Sequence, residues 1–290
     1  MPTRARTALA PSRLAALALA TLALAGCRPR VPPPDLSLDP AALLAQVQAA
    51  QGRVRAVRGE ARVAVDAQGQ SGTVSQFVAA EVPDRLHLET LDFFGNVAAV
   101  LVAADGRFSL YDARSKVLYR GEATPENLAR LVPLPLTAGE LVRILCGGAP
   151  LLDGRPAAAE PGAGHVALTL EAGPWAQVLR IGRGAAVERS WRSVEGGGPG
   201  EYDLAFGAFS PASEGRFPSE VKLRSERPRV RLELRWREVE VNPALDPGLF
   251  RLDPPRGARV VELDERSAPP PPDLFRAEPA PAPGSPGRAD

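Results

Sequence analysis

The sequence predicts an α+β fold: one strongly curved antiparallel sheet of about eleven strands, an incomplete barrel, with a lid of short helices across its concave side. Three observations predict it. Apolar and polar residues alternate with period two through most of residues 61–241. Three helical stretches open on N-cap residues, Asp39, Thr124 and Thr137. The alternation slips by one residue at Arg237-Glu238. Such a slip marks a β-bulge, which lets a sheet curve.

The elements follow in order. Asp39 caps a helix with Pro40 at its first position. Leu43, Leu44, Val47, Val54 and Val57 keep roughly helical spacing, so a helix is expected from Pro40 to about Val57. From Gly59 the period becomes two: Ala61, Val63 and Val65 alternate with Arg62 and Asp66. Val74 to Val82 reads as a strand, Pro83-Asp84 as a tight turn, and Leu86 and Leu88 alternate with Arg85, His87 and Glu89. Val97 to Ala103 is apolar on both faces, and Phe108–Asp112 with Val117–Arg120 forms a hairpin.

A short helix runs from Thr124-Pro125 to about Leu131. A second starts at Thr137 with Glu140 three residues on, the capping-box spacing, and ends before Gly147-Gly148. Ala149 to Gly164 reads as a loose Pro/Gly/Ala loop. Strands resume at His165 and continue as Trp175–Ile181, Ala186–Glu195, Glu201–Phe209 and Phe217–Leu223. The clearest strand is Arg229 to Val241. Residues 267–290 are Pro/Ala-rich and cannot bury enough apolar area to offset ordering entropy, so a disordered tail is expected there.

The N-terminus carries the strongest local signal. Arg4, Arg6 and Arg13 precede an almost pure Leu/Ala run ending in Leu24-Ala25-Gly26-Cys27. The run is shorter than the roughly 20 residues that span a bilayer, so residues 1–26 read as a signal peptide. The last four residues resemble a bacterial lipobox, which makes Cys27 the expected site of lipid attachment. Residues 27–38 then form a Pro-rich tether, and residues 39–266 the folded domain. Acyl chains on Cys27 would hold the domain on a membrane.

Composition excludes some functions. Of 35 basic residues in the 290-residue chain, three lie in residues 1–26, which hold no acid. The remainder carries 32 bases against 34 acids, a net of −2. That balance argues against a nucleic-acid partner. Cys146, in an apolar run, is expected to be a buried small residue. His87 and His165, the only histidines, read as surface residues. No metal-binding helix, nucleophile elbow or phosphate-binding loop is present in the sequence. The reading is therefore a monomer without cofactor or metal, and not an enzyme.

Two candidate sites remain. The apolar strand positions Val63, Leu88, Val100, Leu110, Leu168, Leu232, Leu234 and Trp236 are expected to line the concave face. Phe93 and Phe94, beside Gly95-Asn96, sit at a strand connection where large apolar side chains are unusual.

Several segments carry a family resemblance. Pro83 to Leu91 resembles a strand following a Pro-x-Arg turn, and Leu91 to Asn96 falls where a short loop ends in Pro-Leu-Gly. Leu136 to Ala149 resembles a Leu-Arg-x-Trp-x-x-Gly segment, with Ile144 in the Trp position. Asp246 to Leu252 resembles a closing segment. Together, over about Pro40 to Leu263, the chain resembles the LolB family of outer-membrane lipoprotein receptors and its LolA-like fold. The resemblance implies an acyl-chain carrier on the periplasmic face of the outer membrane, supplied by a periplasmic LolA-like carrier. It also implies that Phe94 contacts the membrane. Arg28 after Cys27, in place of Asp, resembles the outer-membrane sorting rule of enteric bacteria. The alternative is an envelope lipoprotein that uses this fold for sensing or scaffolding.

Overall fold

A computed structural model describes residues 33 and 35–263, apart from 68–69, 130–135, 199 and 213–214. Cys27, the signal peptide and the 267–290 tail lie outside the described residues. The chain runs α1 (Pro40–Gln51), β1 (Ala56–Ala67), β2 (Gln70–Glu81), β3 (Arg85–Leu91), β4 (Val97–Ala104), β5 (Arg107–Asp112) and β6 (Val117–Glu122). After α2 (Pro125–Ala129) and α3 (Ala138–Leu145) come β7 (Arg155–Gly162), β8 (His165–Ala172), β9 (Trp175–Ile181) and β10 (Val187–Val194). The last strands are β11 (Tyr202–Ala212), β12 (Gly215–Glu226), β13 (Arg229–Val241) and β14 (Arg259–Leu263).

All fourteen strands join one sheet, in the order β14-β6-β5-β4-β3-β2-β1-β13-β12-β11-β10-β9-β8-β7. Every neighbouring pair is antiparallel except β14 beside β6. The count therefore exceeds the roughly eleven expected, and two of the fourteen strands fall where the sequence reads none. One extra strand is β7, RPAAAEPG, which the sequence reads as loop. Its two prolines and small residues break any alternation. It is an edge strand, where missing N–H donors are tolerated, and α1 packs against it. The other is β14, five residues held in parallel register by β6.

Helix α1 is shorter than expected. Asp39 Oδ1 accepts from the Ala42 N–H at 2.8 Å, so the start is as read. Gly52 is the C-cap, and Val57 already pairs with Val241 in the sheet. The wide apolar spacing of Val54 and Val57 mixed a helix end with a strand start. Leu43 and Val47 are fully buried, and the helix packs on β7 and β8.

The bulge falls at Arg237. Trp236 pairs with Ala61 and Glu238 with Glu60, so Arg237 has no partner. The extra residue keeps Val230, Leu232, Leu234, Trp236, Val239 and Val241 opposite the apolar set of β1 despite the slip in the pattern. Backbones approach closely there. A Cβ on Gly59 would lie 2.0 Å from the Glu238 carbonyl oxygen.

Candidate functional site

The inner faces of β1–β5, β12 and β13 surround an apolar hollow roofed by α3. Its walls are Val63, Leu86, Leu88, Leu101, Leu110, Val221, Leu223, Leu232 and Leu234. Its roof is Leu136 with Leu141, Ile144 and Leu145 of α3. The two polar lining residues, Gln76 and Thr90, are joined: Gln76 Nε2 donates to Thr90 Oγ1 at 3.1 Å. The free volume is about 70 Å³. That is more than a water needs and far below the ~300 Å³ of a typical ligand pocket.

The roof is held at its rim by polar ties. Thr137 Oγ1 accepts from Glu140 N–H at 3.1 Å, and Glu140 Oε2 accepts from Thr137 N–H at 2.9 Å, the expected capping box. Glu140 Oε1 also pairs with Arg192 Nη1 on β10 at 3.1 Å. The Arg192 guanidinium lies 5.0 Å from the Tyr202 ring centre, and burial pushes the Tyr202 phenol up to about 12. Arg143 Nη1 donates to the Gln51 carbonyl at 3.0 Å, joining α3 to the end of α1. Cys146 caps α3 and is buried, and that burial pushes its thiol up to about 12.

Five of the residues expected on the concave face meet in the hollow: Val63, Leu88, Leu110, Leu232 and Leu234. Three do not. Val100 pairs with Glu89 and Tyr111 on the opposite face, because β4 is apolar on both sides and its phase is ambiguous. Leu168 is fully buried on β8, on the side of the core that α1 covers. Trp236 points inward opposite Ala61 but packs on Phe217, ring centres 6.4 Å apart. The roof residues were missing from the expected set. Their i, i+3, i+4 spacing at 141, 144 and 145 is the signal that identifies them.

His87 corrects the surface reading. It is buried, with Nδ1 2.6 Å from the Leu249 carbonyl and Nε2 2.8 Å from Glu89 Oε1. The segment Pro247–Phe250 folds as a 3₁₀ turn against β3 and β4 and covers it. Alternation alone could not show that a distant segment caps this polar position. His165 is half-exposed.

Phe93 and Phe94 both project into solvent, 89% and 75% exposed, with rings edge-to-face at 5.6 Å. Asp92 builds the turn beneath them. Its Oδ1 accepts from the Phe94 and Asn96 N–H groups, each at 2.8 Å, and Gly95 takes a φ of 83°. The backbone N–H of Asn96, with further donors from this turn, holds the Asp92 carboxyl below its ordinary range. The two rings share one side because the turn, not an extended strand, carries them.

No protein-family model matches the sequence, and no curated protein matches it. Solved structures do. A putative outer membrane lipoprotein-sorting protein domain from Vibrio parahaemolyticus superposes with a TM-score of 0.51 at 10% identity, over 73% of this chain and 97% of that one. A LolA superfamily protein from Nitrosomonas europaea gives 0.51 at 8% identity, over 72% and 97%. The fold is LolA-like. A DUF1329 family protein from Desulfovibrio piger gives a TM-score of 0.48 at 12% identity, over 72% and 97%. At these identities the likeness concerns the LolA-like architecture alone.

Proposed function

We propose that this protein is a lipid-anchored envelope carrier that binds acyl chains in the hollow and delivers them to the outer membrane. The observation that carries the reading is the hollow itself: an almost wholly apolar site whose two polar residues are hydrogen-bonded to each other. Such a site offers a ligand no charged group, and its polar lining is confined to Gln76 and Thr90. It acts by binding and not by catalysis.

Size requires the roof to move. Re-exposing the side chains of Leu141, Ile144 and Leu145 costs about 5–9 kcal/mol at 1.5–3 kcal/mol each. A chain of about fifteen CH₂ groups gains roughly 12 kcal/mol on leaving water. A long acyl chain therefore lifts α3, and one of about six carbons does not. The polar ties at the rim break and re-form without crossing the apolar interior.

Delivery rests on two features of the chain. Cys27 supplies the lipid anchor at the periplasmic face of the outer membrane, and a LolA-like periplasmic carrier supplies the cargo. Phe93 and Phe94 contact the bilayer that receives it. The test is a fluorescent fatty-acid titration of the full chain carrying Cys27→Ser. Saturable binding at one site per chain, displaced by palmitate and not by hexanoate, is the expected result. Absence of saturable binding would leave the scaffold reading in its place.

A further inference from the structure

The exposed phenylalanine pair has cationic neighbours. One row of paired residues crosses the sheet as Thr90, Ala99, Asp112, Val117 and Arg259. It places three loops along the same rim: the Asp92–Asn96 turn, the Ala113–Lys116 turn and the lead-in to β14. From β4 to β14 is three strand spacings, about 14 Å. The Arg259 N–H donates to the Lys116 carbonyl at 2.9 Å, which fixes the last loop beside the second.

These loops present Arg114, Lys116, Arg256 and Arg259, all exposed. Among the described residues none of the four has a carboxylate within ion-pair distance, whereas exposed Arg155, Arg180 and Arg189 on the strand faces do. Exposed Arg224, Arg231 and Arg237 on those faces do not, so it is grouping beside the phenylalanine tip that sets the four apart. Of the three rim acids, Asp253 is exposed in the lead-in to β14 and the other two are turned to local work. Asp92 accepts from its own turn, and Asp112 accepts from the Arg114 N–H at 2.9 Å and the Ser115 hydroxyl at 2.7 Å. Val97, 41% exposed, continues the apolar tip toward this rim.

We infer that this rim is a docking surface for a bilayer rich in anionic phospholipid, with Phe93 and Phe94 in the interface and Arg114, Lys116, Arg256 and Arg259 on headgroup phosphates. Apolar insertion and attraction to anionic headgroups add in such surfaces. A cation close to the surface contributes about fivefold in partition. The charge gives the tip a choice of membrane, which the phenylalanines alone do not. This inference rests on the proposal above that Phe93 and Phe94 contact the bilayer as a hook, but makes a separate claim, that binding depends on lipid charge.

The experiment compares partition of the full chain carrying Cys27→Ser onto vesicles of phosphatidylcholine, with and without one third phosphatidylglycerol, by co-sedimentation. Whatever residues 1–32 contribute is common to every sample. The parent is expected to prefer the anionic vesicles at least tenfold at low salt and to lose that preference at high salt. The variant Arg114→Gln/Lys116→Gln/Arg256→Gln/Arg259→Gln is expected to lose at least tenfold on anionic vesicles and little on neutral ones. An equal-charge control, Arg53→Gln/Arg55→Gln/Arg183→Gln/Arg237→Gln, removes exposed cations away from this rim and is expected to match the parent. Equal partition of the rim variant and the parent, or equal loss in the control, overturns the inference. Insertion is read separately by quenching of Phe94→Trp with brominated lipid. Charge-dependent partition without quenching removes the hook and keeps the cationic rim.

Discussion

Plugging the hollow separates a binding site from a packing defect. Leu88 lines the hollow and is only half-buried, so a larger side chain there can grow inward. Leu88→Trp adds ~60 Å³ of side chain, close to the free volume. Filling an apolar void recovers about 24 cal/mol per Å³, so the 70 Å³ present here limits the gain to roughly 1.7 kcal/mol. Overpacking strain of about 1–3 kcal/mol opposes it. The net change in stability is therefore small, of either sign, while acyl binding falls at least tenfold. Val63→Phe, on β1 two strands along the same sheet, should behave alike. The assay is thermal unfolding beside fluorescent fatty-acid titration. A stable plugged variant that binds the probe with unchanged affinity would refute the placement of the site.

Other outcomes follow from the same structure. Cys146, with its thiol pushed up to about 12 under α3, should react with a disulfide reagent far more slowly than a free thiol at pH 8 in the Cys27→Ser background. Arg192→Ala, which removes the tie to Glu140, should speed that reaction at least fivefold with secondary structure unchanged by circular dichroism; an unchanged rate would show that the tie does not hold the roof. Phe94→Glu should keep the fold and probe binding yet slow transfer of bound lipid to vesicles at least tenfold, and full transfer would remove the hook. Gly59→Ala should destabilise the domain by about 2–4 kcal/mol in urea melts, since no rotamer relieves a clash with the Glu238 backbone. Cys27→Ser should abolish labelling by a palmitate analogue and release the protein from membranes.

Much of the sheet was legible because most strands have one face on the core, where period-two alternation is strong. β9 and β13 have the boundaries the pattern indicates, and the bulge at Arg237 lies where the phase slips. Strands that pair for lack of a better partner, β7 and β14, carry no such pattern. For the hollow, alternation could say that Val63 and Leu234 face inward, and it could not say that Leu168 and Trp236, also inward, lie under other elements. That depends on where α1 and α3 cross, which is tertiary. His87 was misread for a related reason: its cover comes from residues 247–250, far along the chain.

The central claim is that the hollow holds an acyl chain in the cell. Native mass spectrometry of the full chain, extracted from its own envelope in a mild detergent, tests it most directly. The account predicts an adduct of acyl-lipid mass beyond that on Cys27, at up to one per chain, absent from Leu88→Trp. A chain that carries only its covalent lipid, or an adduct that survives in Leu88→Trp, would contradict it.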